Sequence, residues 1–216
     1  MSTVTPAPES SASIDIEPNV LVLEPAWKLL PEPGGDPTGA IEAIVAEFDL
    51  REQVASALQV ALLRANEYAL GLAPGSRRSF ALVSDPQTAR VDAVLSARLS
   101  RVAPDAYEEY LRGAESSADA NPEVEVINRT LVELVLPAGR AIATHDFTLN
   151  RNEDGVPQPA LERALIALFV TGSPALIEFS VAAQDLAVFD DMADYLLGVV
   201  SKFRTTEQVA SGGATV

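Results

Sequence analysis

Four aspartates fall within ten positions toward the end of the chain: Asp185, Asp190, Asp191 and Asp194, in "DLAVFDDMAD". Such a cluster fits an acidic active site, a divalent-cation cradle or the first turn of a helix. At about 100° per residue, positions 185–203 separate into two faces. Val188, Phe189, Met192, Tyr195, Leu196, Val199, Val200 and Phe203 form one stripe, and Asp190, Asp191 and Asp194 lie opposite. Asp185 stands where an N-cap belongs, just before "LAVF". Lys202 and Arg204 lie at the far end, where the helix dipole favours cations. Helix formation and solubility account for every charge, so a structural amphipathic helix is expected. Weak cation binding keeps only Asp190 and Asp194, one turn apart.

The adjacent pair His145–Asp146 suggests acid–base chemistry. On a strand, however, neighbours point to opposite faces. His145 belongs with Ala141, Ala143, Phe147 and Leu149, and Asp146 with Arg140, Thr144 and Thr148. The pair forms no dyad unless the strand bulges, so a partly buried structural histidine is expected. Ser173 and Ser180 have no histidine near them in sequence, and nothing resembles a nucleophile elbow.

Two further motifs are incomplete. In "GGDPTGA", Gly34 and Gly39 have the spacing of a phosphate-binding loop, but Ala40 and Ile41 replace its Lys and Ser/Thr. Asp36 would also repel phosphate. In "NRNEDG", Asn150, Asn152, Asp154 and Gly155 match half of a calcium loop. The closing carboxylate would fall at Leu161, and Glu162 comes one place late. Trp27, Tyr107 and Tyr110 read as core or edge packing. No residue is assigned a catalytic, cofactor-binding or metal role.

Composition narrows the classes. The 216 residues carry 15 Lys and Arg against 31 Asp and Glu, a net charge of −16. Nucleic acid and anionic lipid are disfavoured, because binding either requires cations to neutralise phosphates. There is no cysteine and one histidine, which excludes disulfides, thiolate chemistry and Cys-ligated zinc. The start lacks a signal-peptide pattern, and no apolar run is long enough to span a bilayer. A cytoplasmic protein without direct membrane insertion is expected.

Residues 1–16 and 205–216 read as disordered tails around a single domain, 17–204. "NVLVLEPAWKLL" gives one or two short extended segments, kept short by prolines. Asp36–Pro37 is a helix entry. The helical pattern then runs to Leu70 with Gly71 as its stop, and its apolar stripe changes phase at "FDLRE". Asp49 and Glu52 there have capping-box spacing, which gives two helices or one kinked helix. "SFALVS" and "ARVDAVLSARLSRV" follow as strands. In the second, Val91, Ala93, Leu95, Ala97 and Leu99 alternate with Arg90, Asp92, Ser96, Arg98 and Ser100, so one face is expected to be wet. "PDAYEEYLRG" is a short helix with Pro104 near its start and Gly113 at its stop. "VEVINRTLVELVL", "RAIATHDFTL", "ALERALIALFVT" and "ALIEFSV" then form an antiparallel meander.

This order is α+β: an antiparallel sheet of six to seven strands, flanked by a long N-terminal helix or helix pair and a C-terminal amphipathic helix. It resembles the PsbP-like α/β/α sandwich. The turn "LPAGRA", with Pro137, Gly139 and Arg140, is similar to the hairpin before the central strand of the bacterial members. "ALIEFSV…DLAVFDDMADYLLGVVSKFR" is similar to their last strand and helix, although Val181 and Ala182 follow Ser180 where members often carry Thr-Pro.

The resemblance implies a binding or assembly module without cofactor. The expected partner is a protein with a basic surface, met through a sheet face or edge or through loops 113–122 and 150–159. The alternatives are a helix-grip small-molecule binder or enzyme, with a cavity between sheet and last helix, and a metal-dependent enzyme using the aspartates.

Overall fold

The computed structural model describes Leu21 and residues 23–71, 77–103, 105–116, 124–150 and 160–203. The expected tails, Pro104, Arg204, the calcium-like Asn152, Asp154 and Gly155, and most of loops 113–122 and 150–159 lie outside the described residues.

Elements follow in the order β1 (Trp27–Leu29), α1 (Pro37–Ala46), α2 (Glu52–Gly71), β2 (Arg77–Leu82), β3 (Ala93–Arg101), α3 (Ala106–Glu115), β4 (Val124–Leu136), β5 (Gly139–Asn150), β6 (Leu161–Val170), β7 (Ala175–Ala183) and α4 (Met192–Ser201), with a 3-10 turn at Pro86–Thr88 between β2 and β3. The strands form one sheet of seven in the order β1-β2-β3-β7-β6-β5-β4. Every neighbouring pair is antiparallel. The chain crosses from β3 to the far edge through α3, then meanders back until β7 pairs with β3. Helices cover both faces, giving an α+β, α/β/α sandwich.

Local chemistry explains most boundaries. Asp36 caps α1 by accepting from the Thr38 amide at 3.0 Å, with Pro37 in the first turn. The phase change resolves as two separate helices. The expected cap of the second is corrected: α2 begins at Glu52 directly after Arg51, so Asp49 is too far upstream to cap it. Gly113 lies inside α3 rather than at its stop. At the β4–β5 hairpin, a Cβ on Gly139 would lie 2.0 Å from the Phe169 carbonyl oxygen on β6, so only glycine fits.

The face toward α4 is apolar. Leu95, Ile166, Leu168, Phe179 and Val181 pack there with Met192, Leu196, Val200 and Phe203. Met192, Leu196, Leu168 and Phe179 are fully buried. These side chains occupy the space in which a helix-grip cavity would have to lie. The opposite face is covered near β2 and β3 by α1 and α2, through Ile41, Ile44, Leu58, Leu62 and Ala65 against Ala81, Val83 and Val94. The expectation of a wet face on β3 is therefore corrected. Val94 and Ser96 are buried, because α2 lies over that half of the strand.

Candidate functional site

The four aspartates do not converge. α4 starts at Met192, and Asp191, not Asp185, is its cap, accepting from the Asp194 amide at 2.9 Å. Asp185 sits in the preceding turn. Its carboxylate accepts from the Ala187 amide at 3.1 Å and from Arg90 at 3.0 Å. Those bonds hold its pKa below the usual carboxylate value. Val188 and Phe189 pack on the core from this turn rather than from the helix. The turn was hidden because "DLAVF" continues the helical stripe. Among the described residues, no group of three or more His, Asp or Glu side chains is placed to hold a metal ion.

The pleat separates His145 from Asp146. His145 lies on the α4 side, where its Nε2 is 2.8 Å from Glu162 Oε1 and its ring meets Phe147. Ser180 pairs with Ser96 and Leu165 on the opposite side. Ser173 is exposed in the β6–β7 turn. At Gly34–Gly39, the Asp36 carboxylate occupies the helix entrance that a phosphate would need. Trp27 is buried and donates to the Tyr195 hydroxyl at 2.6 Å.

Sequence reasoning missed the charged sheet face beneath α3. Arg129, Asp146 and Arg163 stand side by side on β4, β5 and β6. Arg129 makes a two-pronged contact with Asp146, 2.8 Å at each oxygen, and Arg163 adds a third bond of 2.8 Å. Asp146 is only 1% exposed. Burial alone would raise its pKa, but the bonds and charges of the two arginines outweigh it, so the carboxyl sits below its usual value. Arg129 also donates to the carbonyls of Ala114 and Ser116, at 3.3 and 2.8 Å, tying down the C-terminal end of α3.

The rest of α3 is fastened in the same way. Tyr110 donates to Glu178 at 2.9 Å, and Arg98 pairs with the same carboxylate. Tyr107 donates to Glu133 at 2.7 Å, beneath the Arg140 guanidinium at 3.7 Å from its ring centre. Both tyrosine rings meet Phe169 edge-on. Burial is the main cause raising the pKa of both phenols, reinforced by the carboxylates they touch. They act as hydrogen-bond donors, and Glu178 and Asp146 accept from several partners at once. The arrangement positions a helix.

Two surface features remain. β4 is an edge strand of 13 residues, while the opposite edge, β1, has 3. Ile127, Val132 and Val135 on β4 are 56%, 47% and 87% exposed. A register irregularity between Val126 and Asn128 interrupts one end of the β4–β5 pairing. Separately, a groove of about 750 Å³ lies at the start of α4, next to β1 and β2. Among the described residues, no helix is long and apolar enough to cross a membrane.

No family model matches the chain, and no curated protein matches it. Among solved structures it is similar to PsbP (CyanoP) from the cyanobacterium Synechocystis, at 16% identity and a TM-score of 0.41, covering 62% of this chain and 77% of that one. It is also similar to a Pseudomonas aeruginosa protein of unknown function, at 14% identity and a TM-score of 0.39, covering 62% of this chain and 85% of the other.

Proposed function

We propose that this chain is a non-catalytic protein-docking module that receives a partner segment along β4. The observation that carries the reading is the long outer edge of β4 with Ile127, Val132 and Val135 exposed on it. A free edge offers a row of backbone donors and acceptors that an added strand satisfies, while side-chain pockets select its sequence. Among the described residues, no strand pairs with that outer edge.

The partner is a protein with a basic surface. The net charge of −16 repels nucleic acid and anionic membranes and steers a cationic protein. The charged residues beneath α3 support the reading, because their lone pairs serve the fold. The cytoplasm, where such a chain needs no disulfides, is the compartment this reading assigns.

The test uses the full chain and the double variant Ile127→Lys/Val135→Lys as baits. Both positions are exposed, so the variant should fold, which circular dichroism checks. A stoichiometric protein recovered at low salt by the wild type and lost with the variant is expected. Its on-rate should fall as salt rises, while its off-rate changes less. Identical recovery by both baits, or an acidic partner indifferent to salt, would contradict the reading.

A further inference from the structure

The groove at the start of α4 lies beside β1 and β2, at the opposite edge of the sheet from β4. One wall is aromatic, built from Trp27, Tyr195 and Phe189; the Tyr195 ring lies 6.3 Å from Trp27 and 4.8 Å from Phe189. Glu24, Asp190, Asp191 and Asp194 also line the groove, and among the described residues no lysine or arginine does. The nearby cations are engaged elsewhere, Lys28 with Glu47 and Arg90 with Asp185.

Two of the acids are explained by the fold. Asp191 caps α4 and Asp194 lies in its first turn, so together they offset the positive end of the helix dipole. Glu24 and Asp190 have no such role. Both are exposed, and among the described residues neither carboxylate makes an ion pair or hydrogen bond. Burial raises the pKa of the Tyr195 hydroxyl, opposed by its hydrogen bond with Trp27 and reinforced by the charge of Glu24. An aromatic wall next to uncompensated anions is complementary to a side chain with an apolar stem and a cationic head.

We propose that this groove receives an arginine side chain from a basic polypeptide. The methylene stem lies along Phe189 and Tyr195, which are partly exposed above the buried Trp27, and the planar guanidinium forks toward Glu24 and Asp190. The net charge of −16 brings the cation in and disfavours a second copy of this chain as occupant. The inference rests on the docking reading only in taking a polypeptide as ligand, and the two surfaces lie at opposite sheet edges.

Trp27 is the single tryptophan, so its fluorescence reports on the groove directly. The full chain is titrated at low salt with the peptide acetyl-Leu-Arg-Leu-amide and with its citrulline counterpart, which keeps the shape and removes the charge. A saturable change with the arginine peptide is expected, weakened at least about tenfold by citrulline or by Glu24→Gln/Asp190→Asn, as for loss of a charge-assisted contact. Ile127→Lys/Val135→Lys should respond like the wild type. No saturable change up to about 10 mM peptide, equal binding of the citrulline peptide, or equal binding by Glu24→Gln/Asp190→Asn would each overturn the proposal. So would a response lost only in the β4 variant.

Discussion

α4 and α3 are helices of 10 residues each, lying on opposite faces of one sheet and held by opposite physics. α4 buries Met192, Leu196, Val199 and Val200 in the apolar core. α3 buries only Tyr107 and is fastened by Glu178, Glu133 and the Arg129–Asp146–Arg163 row. Burial is non-directional and tolerates small shifts, whereas charge-assisted bonds fix register and fail when one partner is removed. The lesson is that the contacts of α4 supply stability and those of α3 supply position.

The largest expected effect breaks the apolar side. Leu196→Ala, at a fully buried site, should cost about 3–5 kcal/mol through lost burial and a residual cavity. Urea unfolding measures it. Asp146→Asn comes next, at roughly 2–3 kcal/mol, because two arginines lose their counter-charge. The figure is set below that of a fully buried pair, since the Arg129 and Arg163 side chains are 16% and 27% exposed.

The pH dependence sharpens the contrast. The paired arginines hold the native Asp146 carboxyl below its ordinary value. Its contribution is therefore complete above that value and is lost as pH falls through the depressed native one. The stability gap between wild type and Asp146→Asn should stay constant from pH 7 down to about 5 and shrink below about pH 4. The gap between wild type and Leu196→Ala should not. Denaturation midpoints across that range decide it.

Smaller effects separate the aspartates around α4. Asp191→Ala removes a helix cap and should cost about 1 kcal/mol, whereas Asp191→Asn keeps the acceptor and should cost little. Asp190→Asn at an exposed position should change stability by less than about 0.5 kcal/mol. Equal losses at Asp190 and Asp191 would place the helix start elsewhere.

The contrast also explains what was legible. The apolar stripe from Met192 to Phe203 and the alternation along β5 announced themselves, because burial leaves a period in the sequence. The cap of α4 was misplaced at Asp185 because Val188 and Phe189 pack on the same core from a turn. The charged face was not legible. Arg129, Asp146 and Arg163 lie 17 residues apart on successive strands, and alone each reads as an ordinary solvent-facing charge. Only the register between β4, β5 and β6 brings them together. The same holds for Arg98 and Glu178, which read as the wet side of two strands until β3 and β7 are paired. The groove at α4 joins Glu24 and Trp27 to a segment more than 160 residues away, which no local pattern reveals.

The central claim is that the free edge of β4 is where a partner adds. Amide hydrogen exchange of the whole chain, with and without the protein captured by the wild-type bait, tests it most directly. The account predicts slowed exchange along β4, Val124–Leu136, on binding, with β6 and β7 unchanged. Slowed exchange confined to other elements, with β4 exchanging as in the free chain, would contradict it.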